Sequence, residues 1–331
     1  MKACVIGSGS WGTALSQVLA DAGCSVSLAA RRQSVADGIN EHHHNPDYLS
    51  DALLSQAIVA TTSLDEAFSG ADACVIVTPS GYLRHTARSV RSHVSPQLPL
   101  VICSKGAEDG TGALPADVFA EEVGGLERIC VLSGPTHAEE VVRRVPSSVV
   151  CASVSEDTAR LVRDLFSTDA FRTYTSDDLV GVELCGAFKN VIAIAVGVSY
   201  GLGMGDNTAA TLITRGLAEM SRMVDACGGN VITCMGLAGA GDMVVTCASR
   251  HSRNRRFGED YVARGRTLQQ FEADTHMVVE GALACKTLSD LAVRHHVELP
   301  LTEAVRQVVW DGADARALAK TLLDRPLKSE F

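Results

Sequence analysis

The chain of 331 residues lacks an excess of positive charge, since 39 acidic residues outnumber 29 lysines and arginines and the formal net charge is -10. Nucleic-acid-binding proteins usually present a basic face, so this balance argues against nucleic acid as a partner. An anionic substrate would need a local cationic pocket, because the overall field repels it. Repeats and low-complexity segments are also lacking, and a globular chain of this length favours two domains.

A disulfide framework is not indicated, because the 11 cysteines are odd in number and none stands in a CxxC pair. Cys4, Cys74, Cys103, Cys130 and Cys151 lie inside apolar runs, where cysteine behaves as a small buried hydrophobe. Scattered thiols in odd number favour a reducing compartment, so we expect a cytoplasmic location.

Long apolar runs are missing as well. The longest candidate, residues 191–198, is far shorter than the roughly 18 apolar residues that cross a bilayer, so no membrane span is expected. The apolar start of the chain is too short for a secretory signal, and glycines follow it at once. This segment is typical of a first β-strand.

Short apolar runs alternate with helical patterns through the first half of the chain. Strands are predicted at 3–6, 26–30, 58–60, 74–78, 100–103, 129–132 and 148–152. Continuous apolar strands between helices indicate a parallel sheet with right-handed crossovers. The second half favours long helices, predicted at 182–200, 207–227, 277–295 and 302–309. The fold class is therefore α/β: a Rossmann-like parallel-sheet domain over 1–180 and an all-helical substrate-binding, catalytic domain over 181–331.

A glycine-rich turn follows the first strand and opens a helix. Gly7, Gly9 and Gly12 match G-x-G-x-x-G, in which the glycines allow a tight turn, close approach to a pyrophosphate and close helix–strand packing. The helix N-terminus then offers free N–H groups and partial positive charge to the phosphates. In this context the motif predicts a dinucleotide site, although a simple strand–helix turn is the alternative.

The end of the second strand bears on the choice of cofactor. NAD-preferring sites often place an acid there, whereas this chain has Arg31 and Arg32. Arginine suits a 2′-phosphate through charge-assisted bidentate hydrogen bonds. The sequence therefore favours NADP(H), with NAD(H) possible; a solvated pair of surface arginines is the other interpretation.

A lysine in an apolar helix is the strongest candidate for catalysis. Lys189 lies in the run GAFKNVIA, where burial would lower its pKa and suit it to proton transfer. Asp242, in the segment GAGD, could pair with it and hold it in place. The alternatives are a lysine that snorkels to solvent and an aspartate that caps a helix.

Other candidate residues lie in loops and could add cations and hydrogen-bond donors. Lys105 follows the strand at 100–103, and Gly134 and Thr136 follow the strand at 129–132, at the sheet edge where open α/β sheets bind ligands. Arg253 and Asn254 offer donors for a phosphate, or form part of an exposed basic run.

Seven segments in order along the chain resemble the bacterial-type NAD(P)-dependent glycerol-3-phosphate dehydrogenases. They read GSGSWG, SKG, SGPTHAEEV, GAFKNVIAIAVG, GDNTAATLITRGLAEM, GAGDMVVTC and SRNRRFG. The resemblance implies reversible hydride transfer between NAD(P)H and dihydroxyacetone phosphate, with Lys189 as the proton acceptor in the oxidation direction, assisted by Asp242 and Lys105. The implied cofactor contacts are Gly7, Gly9, Ser10, Trp11, Gly12, Arg31, Arg32, Tyr48, Lys105, Ala138, Arg253, Val278 and Glu280. The implied substrate contacts are Lys105, Gly134, Thr136, Lys189, Asp242, Ser252, Arg253 and Asn254.

The resemblance further implies a homodimer and a supply of glycerol 3-phosphate for phospholipid synthesis. Two departures stand out: Phe188 replaces a smaller aliphatic residue, and the loop after Tyr48 lacks the usual Pro-Gly. No metal is expected, since the run at 42–44 of three histidines has no matching ligand cluster. Two alternatives remain open: a related dehydrogenase of hydroxy acids or hydroxyacyl thioesters, and a non-catalytic NADP(H) sensor.

Overall fold

The structure, a computed structural model, describes residues 1–275, 277–324, 326 and 329. The strands are β1 (Lys2–Ile6), β2 (Ser25–Ala29), β3 (Ile58–Thr61), β4 (Ala73–Ile76), β5 (Leu100–Ile102), β6 (Ile129–Ser133), β7 (Ser147–Ala152) and β8 (Phe171–Ser176). The helices of the sheet-containing part are α1 (Ser10–Asp21), α2 (Gln33–His42), α3 (Leu64–Phe68), α4 (Leu83–Val90), α5 (Pro115–Val123), α6 (Ala138–Val141) and α7 (Glu156–Phe166). Those that follow are α8 (Leu179–Gly201), α9 (Asp206–Ala226), α10 (Asp242–Ala248), α11 (Arg253–Arg264), α12 (Leu268–Thr275), α13 (Glu280–His295), α14 (Pro300–Trp310) and α15 (Ala315–Leu323).

The strands form one sheet in the order β3-β2-β1-β4-β5-β6-β7-β8. Neighbouring strands are parallel except β6 and β7, which run antiparallel, so the prediction of a purely parallel sheet is wrong at this pair. The connection from β6 to β7 contains only the four-residue helix α6. Such a helix rises about 6 Å, too little to carry the chain back across the sheet. The Rossmann-like class is nevertheless confirmed, with a mostly parallel sheet.

All seven predicted strands are present, with bounds that differ by at most two residues. The eighth strand, β8, was not predicted because it alternates buried and exposed residues and contains no apolar run. Its Phe171 and Thr173 face the core, while Arg172 and Tyr174 are exposed at the free edge of the sheet. An edge strand needs only one apolar face, so its sequence carries a weaker signal than a central strand.

The four predicted long helices correspond to α8, α9, α13 and α14. The start of the third was predicted at Met277 but lies at Glu280, after the extended Val278 and Val279. The shorter helices α10, α11, α12 and α15 were not predicted. From Leu179 onward the described residues form helices and turns without a strand, which confirms the helical character of the second half.

Helix α8 is the centre of the helical half, and it packs against α9, α10, α11 and α13. It is long and apolar enough to cross a membrane by composition, a property that the sequence reading did not expect. However, 94% of its most apolar 18-residue window is buried inside the protein, as in the core helix of a folded domain. Its apolar surface is thus accounted for by the surrounding helices.

Two apolar clusters cover the two faces of the sheet. Cys4 and Cys74 point to the face that is continuous with α8, whereas Val5 and Val75 point to the opposite face against α1. This alternation explains why the central strands are apolar throughout. Ten of the 11 cysteines are buried and Cys227 is half-buried, which confirms that they serve as core hydrophobes.

Candidate active site

Four loops that carry predicted functional residues meet at one edge of the sheet. Gly7 follows β1, Arg31 follows β2, Lys105 follows β5 and Gly134 follows β6. Because β1, β2, β4, β5 and β6 are mutually parallel, their carboxyl ends lie on the same side. Open α/β sheets bind their ligands at this edge, so the topology alone brings distant segments of the chain together.

The glycine-rich turn has the shape that a dinucleotide requires. Gly7 has φ +115°, and a Cβ on it would stand 2.8 Å from the carbonyl oxygen of Val77. A Cβ on Gly12 would stand 1.8 Å from the carbonyl oxygen of Gly7, whereas nothing lies within 4 Å of the position of a Cβ on Gly9. The first and third glycines are therefore needed for packing, and Gly9 leaves open space at the N-terminus of α1. A pyrophosphate fits that space.

A cleft of about 580 Å³ extends from this turn, and its lining residues come from both halves of the chain. Ser10, Arg32 and Tyr48 line it on the sheet side, and Met277 lines it on the helical side. Three predicted cofactor residues thus face one cleft. Arg32 forms an ion pair with Asp47, another lining residue that the sequence reading did not single out.

The loop that carries Asp47 and Tyr48 is fastened to the glycine-rich turn by a buried asparagine. Asn45 donates from Nδ2 to the carbonyl oxygen of Ser8 and to Oγ1 of Thr13, both at 2.9 Å. Its Oδ1 accepts the backbone N–H groups of Asp47 at 3.1 Å and Tyr48 at 3.2 Å. The missing Pro-Gly after Tyr48 therefore leaves the start of this loop well anchored.

A buried cluster of charges lies between the sheet and the helical half. Asp242 Oδ1 is 2.7 Å from Lys189 Nζ, and Asp242 Oδ2 is 2.5 Å from Lys105 Nζ. The Asp242 side chain is fully buried, and those of Lys189 and Lys105 are 10% and 13% exposed. The pairing of Asp242 with Lys189 agrees with the sequence, and neither a snorkelling lysine nor a helix cap describes these residues. Two cations against one anion make the cluster a positive centre in an acidic protein.

Burial and neighbouring charges shift the pKa values of this cluster in opposite directions. Burial lowers the pKa of Lys189 to about 8, and the Lys105 ammonium acts in the same sense while Asp242 opposes it. Burial alone would raise the pKa of Asp242, but the two ammonium groups outweigh it and the pKa is lowered. Burial and Lys189 also lower the pKa of His137, which keeps this nearby imidazole neutral. Lys189 is thus prepared for proton transfer near neutral pH.

A chain of side-chain hydrogen bonds joins α8 to α11 and α13 beside Lys189. Asn254 Nδ2 donates to Asn190 Oδ1 at 2.9 Å, and Asn254 Oδ1 accepts the backbone N–H of Gly281 at 2.9 Å. Asn190 Nδ2 donates in turn to Glu280 Oε2 at 3.4 Å. Asn254 and Glu280, predicted at different parts of the site, are therefore connected through Asn190.

The remaining predicted residues have varied surroundings. Gly134 ends β6 and accepts a hydrogen bond from Thr136 Oγ1, and Ala138 begins α6. Ser252 Oγ accepts the backbone N–H of Arg255 as the cap of α11. Within the described part of the chain, no hydrogen bond or ion pair ties three exposed residues to the cluster. They are Arg31, Arg253 and Val278.

Sequence reasoning missed four residues that shape the site: Asn45, Asp47, Gly186 and Asn190. A Cβ on Gly186 would lie 3.3 Å from Lys105 Cγ, so this glycine makes room for the lysine to cross α8. Asn190 could have been found as a second polar residue in an apolar helix, and Asn45 as the Asn-Pro start of a turn. Asp47 gives no signal, because its pairing with Arg32 depends on how the loop folds back.

The arrangement offers three chemical capabilities in one place. Open backbone at a helix N-terminus can hold a pyrophosphate. Two lysines around one aspartate can attract an anion and stabilise a developing oxyanion. A buried lysine with a lowered pKa can give or take a proton. These are the requirements for interconverting a ketone and an alcohol on an anionic substrate with a nicotinamide cofactor.

Comparisons with known proteins agree along the whole chain. The family profile for the NAD-dependent glycerol-3-phosphate dehydrogenase N-terminus matches residues 2–159, and that for the C-terminus matches residues 178–320. The chain is 45% identical over 331 residues to the glycerol-3-phosphate dehydrogenase [NAD(P)+] of Streptomyces griseus, covering 100% of this chain and 98% of the relative. It is 41% identical over 332 residues to the Shouchella clausii protein of the same name, covering 99% and 97%.

Solved structures show the same likeness. The crystal structure of glycerol-3-phosphate dehydrogenase from Coxiella burnetii superposes with a TM-score of 0.93 at 34% identity, covering 98% of this chain and 99% of that one. A D-mandelate dehydrogenase superposes with a TM-score of 0.63 at 12% identity over 98% of this chain and 99% of that one, which reflects the fold alone.

Proposed function

Because the chain belongs to the NAD-dependent glycerol-3-phosphate dehydrogenase family, we propose that it interconverts dihydroxyacetone phosphate and glycerol 3-phosphate with NAD(P)(H). The observation that carries this proposal is the buried cluster of Lys105, Asp242 and Lys189, which provides a proton donor inside a positive centre. An oxidoreductase acting on a phosphorylated ketone needs both. A non-catalytic sensor needs neither.

The chain's own residues divide the work as follows. In the reducing direction the Lys189 ammonium donates a proton to the substrate oxygen that becomes the hydroxyl, and in the oxidising direction its neutral amine accepts it. Asp242 keeps Lys189 in position, and Lys105 adds positive charge where the oxyanion develops. When bound, the nicotinamide cofactor supplies or takes up the hydride.

Substrate binding is assigned to the loops and helix termini around this cluster. Gly134 and Thr136 border it on the sheet side, and Ser252, Arg253 and Asn254 lie at the start of α11. The exposed guanidinium of Arg253 is free to turn toward a phosphate, whereas the Asn254 amide is already committed to Asn190 and Gly281. We therefore assign phosphate binding mainly to Arg253, with Asn254 as its rigid neighbour.

The cofactor would lie along the cleft, with its pyrophosphate at Gly9 and Ser10 and Trp11 beside it. Arg31, Arg32 and Tyr48 would receive the adenosine end, and Lys105, Ala138, Arg253, Val278 and Glu280 the nicotinamide end. Arginines at the end of β2 support a preference for NADP(H), with NAD(H) accepted as well.

Four further features of the protein belong to this proposal. Ile232 and Met235 expose large apolar side chains, which supports a homodimer. Free buried thiols support a reducing cytoplasmic setting. The turn between β8 and α8 supports division into a dinucleotide-binding domain, 1–180, and a substrate-binding domain, 181–331. The product supports a role in supplying phospholipid synthesis.

The experiment that tests the function follows cofactor absorbance with purified protein and dihydroxyacetone phosphate, with NADPH and NADH in parallel. We expect rapid oxidation of cofactor, and none when dihydroxyacetone replaces its phosphate ester. Folded protein that binds NADPH but turns over neither cofactor would overturn the proposal. Equal rates with and without the phosphate would move the assignment to another hydroxy compound.

A further inference from the structure

We propose that Asp47 sets the cofactor preference of this enzyme, by acting as the acid that the end of β2 lacks and by restraining Arg32. The proposal rests on the proposed function, since it concerns which nicotinamide cofactor the same cleft accepts. It starts from the ion pair between Arg32 and Asp47 at the wall of that cleft.

The position of the pair relative to the cofactor follows from the fold. Arg32 caps the N-terminus of α2 directly after β2, the place from which sheet proteins of this class read the adenosine ribose. Ser10, at the phosphate-binding end of α1, lines the same cleft as Arg32 and Asp47. A cofactor whose pyrophosphate lies at Gly9 therefore extends its ribose toward the pair.

The Asp47 carboxylate is placed by a rigid loop. Asn45 is fully buried and binds both the glycine-rich turn, through Ser8, and the backbone N–H of Asp47. A Cβ on Gly38 of α2 would stand 2.8 Å from Pro46 Cδ, so the loop also lies tightly against that helix. The distance from the pyrophosphate site to Asp47 is thus fixed by the same turn that holds the phosphates.

The charges then favour different cofactors. A carboxylate accepts hydrogen bonds from ribose hydroxyls, which NAD(H) offers, and it repels the 2′-phosphate of NADP(H). Arg32 attracts that phosphate, but its guanidinium must first leave Asp47. The pair is solvent-accessible, with Arg32 53% and Asp47 32% exposed, so this exchange is feasible without burying a charge. Both cofactors are therefore accepted, and Asp47 limits the preference for NADP(H).

The test compares kcat/KM for NADPH and NADH in the wild type and in Asp47→Asn, at fixed ionic strength. We expect the NADPH/NADH ratio to rise about fivefold, because one repelling charge near the phosphate is removed and Arg32 is released. Asp47→Glu, which keeps the charge, should keep a ratio near that of the wild type. Asp37→Asn is the matched control, since it removes one exposed carboxylate from α2 outside the cleft.

A ratio between cofactors separates this role from a structural one, which would lower both kcat/KM values together. In an Arg32→Met background, Asp47→Asn should raise the ratio less than in the wild type, because there is no guanidinium left to release. An unchanged or lower ratio in Asp47→Asn would overturn the proposal while leaving the proposed reaction intact. Loss of turnover with both cofactors in the wild type would instead contradict the function. If Asp47→Asn does not fold, Asp47→Ser is measured in its place with the same expected rise.

Discussion

The two ends of the active-site cleft use the same elements, an acid beside a basic side chain, with different physical consequences. At the inner end, Asp242 is fully buried between Lys105 and Lys189, and burial lowers the pKa of Lys189 to about 8. At the outer end, Arg32 and Asp47 are partly exposed to solvent. Water screens the outer pair, so it can open and exchange partners, whereas the inner cluster is fixed and strongly coupled. Chemistry belongs at the inner end and cofactor choice at the outer end.

The largest expected effect comes from removing the proton donor. Lys189→Ala should lower kcat in both directions by about 10³-fold, since general acid–base catalysis typically contributes 10²–10⁴-fold. Steady-state kinetics with dihydroxyacetone phosphate measures the loss. Lys286→Ala is the matched control, because Lys286 is an exposed lysine paired with Asp109 away from the cluster. Substantial turnover in folded Lys189→Ala would remove Lys189 from the mechanism.

The second expected effect concerns stability at the inner end. Asp242→Asn leaves Lys105 and Lys189 without their counter-charge, and breaking a buried pair in this way costs about 3 kcal/mol. Urea unfolding at pH 7 measures the change in the free energy of unfolding. Asp109→Asn, at an exposed pair, should change it by less than about 1 kcal/mol. Equal effects at both positions would contradict the contrast between buried and exposed pairs.

The third prediction is a pH dependence with opposite signs for the two reaction directions. Lys189 must carry a proton to reduce the ketone, so kcat/KM for reduction should fall about tenfold per pH unit above its pKa of about 8. Oxidation of glycerol 3-phosphate requires the neutral amine, so its kcat/KM should rise as the pH increases through the same value. Parallel profiles in the two directions would show that another group titrates.

The smallest expected effect tests a buried acid without a basic partner. Glu183 on α8 accepts the backbone N–H of Ala116 at 2.8 Å, and burial raises its pKa from 4.5 to about 8. Between these values the native state holds a proton that the unfolded state releases, so stability falls as the pH rises from 4.5 to 8. Glu183→Gln keeps the acceptor and removes the titration.

We expect Glu183→Gln to exceed the wild type in free energy of unfolding by about 1 kcal/mol at pH 8, and to differ little at pH 5. Urea unfolding of both proteins at the two pH values provides the measurement. A variant that is less stable at pH 8 would mean that the Glu183 carboxylate is charged and stabilising. The comparison with Asp242 would then need another cause, since both acids are buried but only Asp242 has cations beside it.

Much of the fold could be predicted because its signals are local. The apolar strands β1 and β4 and the long helix α8 declare themselves by continuous hydrophobicity, and Gly7, Gly9 and Gly12 by their place between a strand and a helix. Strand β8 escaped prediction because an edge strand needs only one apolar face. The antiparallel β7 escaped because strand direction depends on where the chain can travel between strands, which an apolar run does not record.

The sequence by itself determined the parallel core, the dinucleotide turn and the buried lysine, since each is written in a short stretch of residue types. Only the tertiary structure decided that Lys105, Lys189 and Asp242 share one cluster and that Asp47 restrains Arg32. The reason is physical: the pKa of a lysine and the freedom of an arginine depend on charges and water a few ångströms away. Those neighbours come from distant parts of the chain, brought together by the sheet edge and by α8.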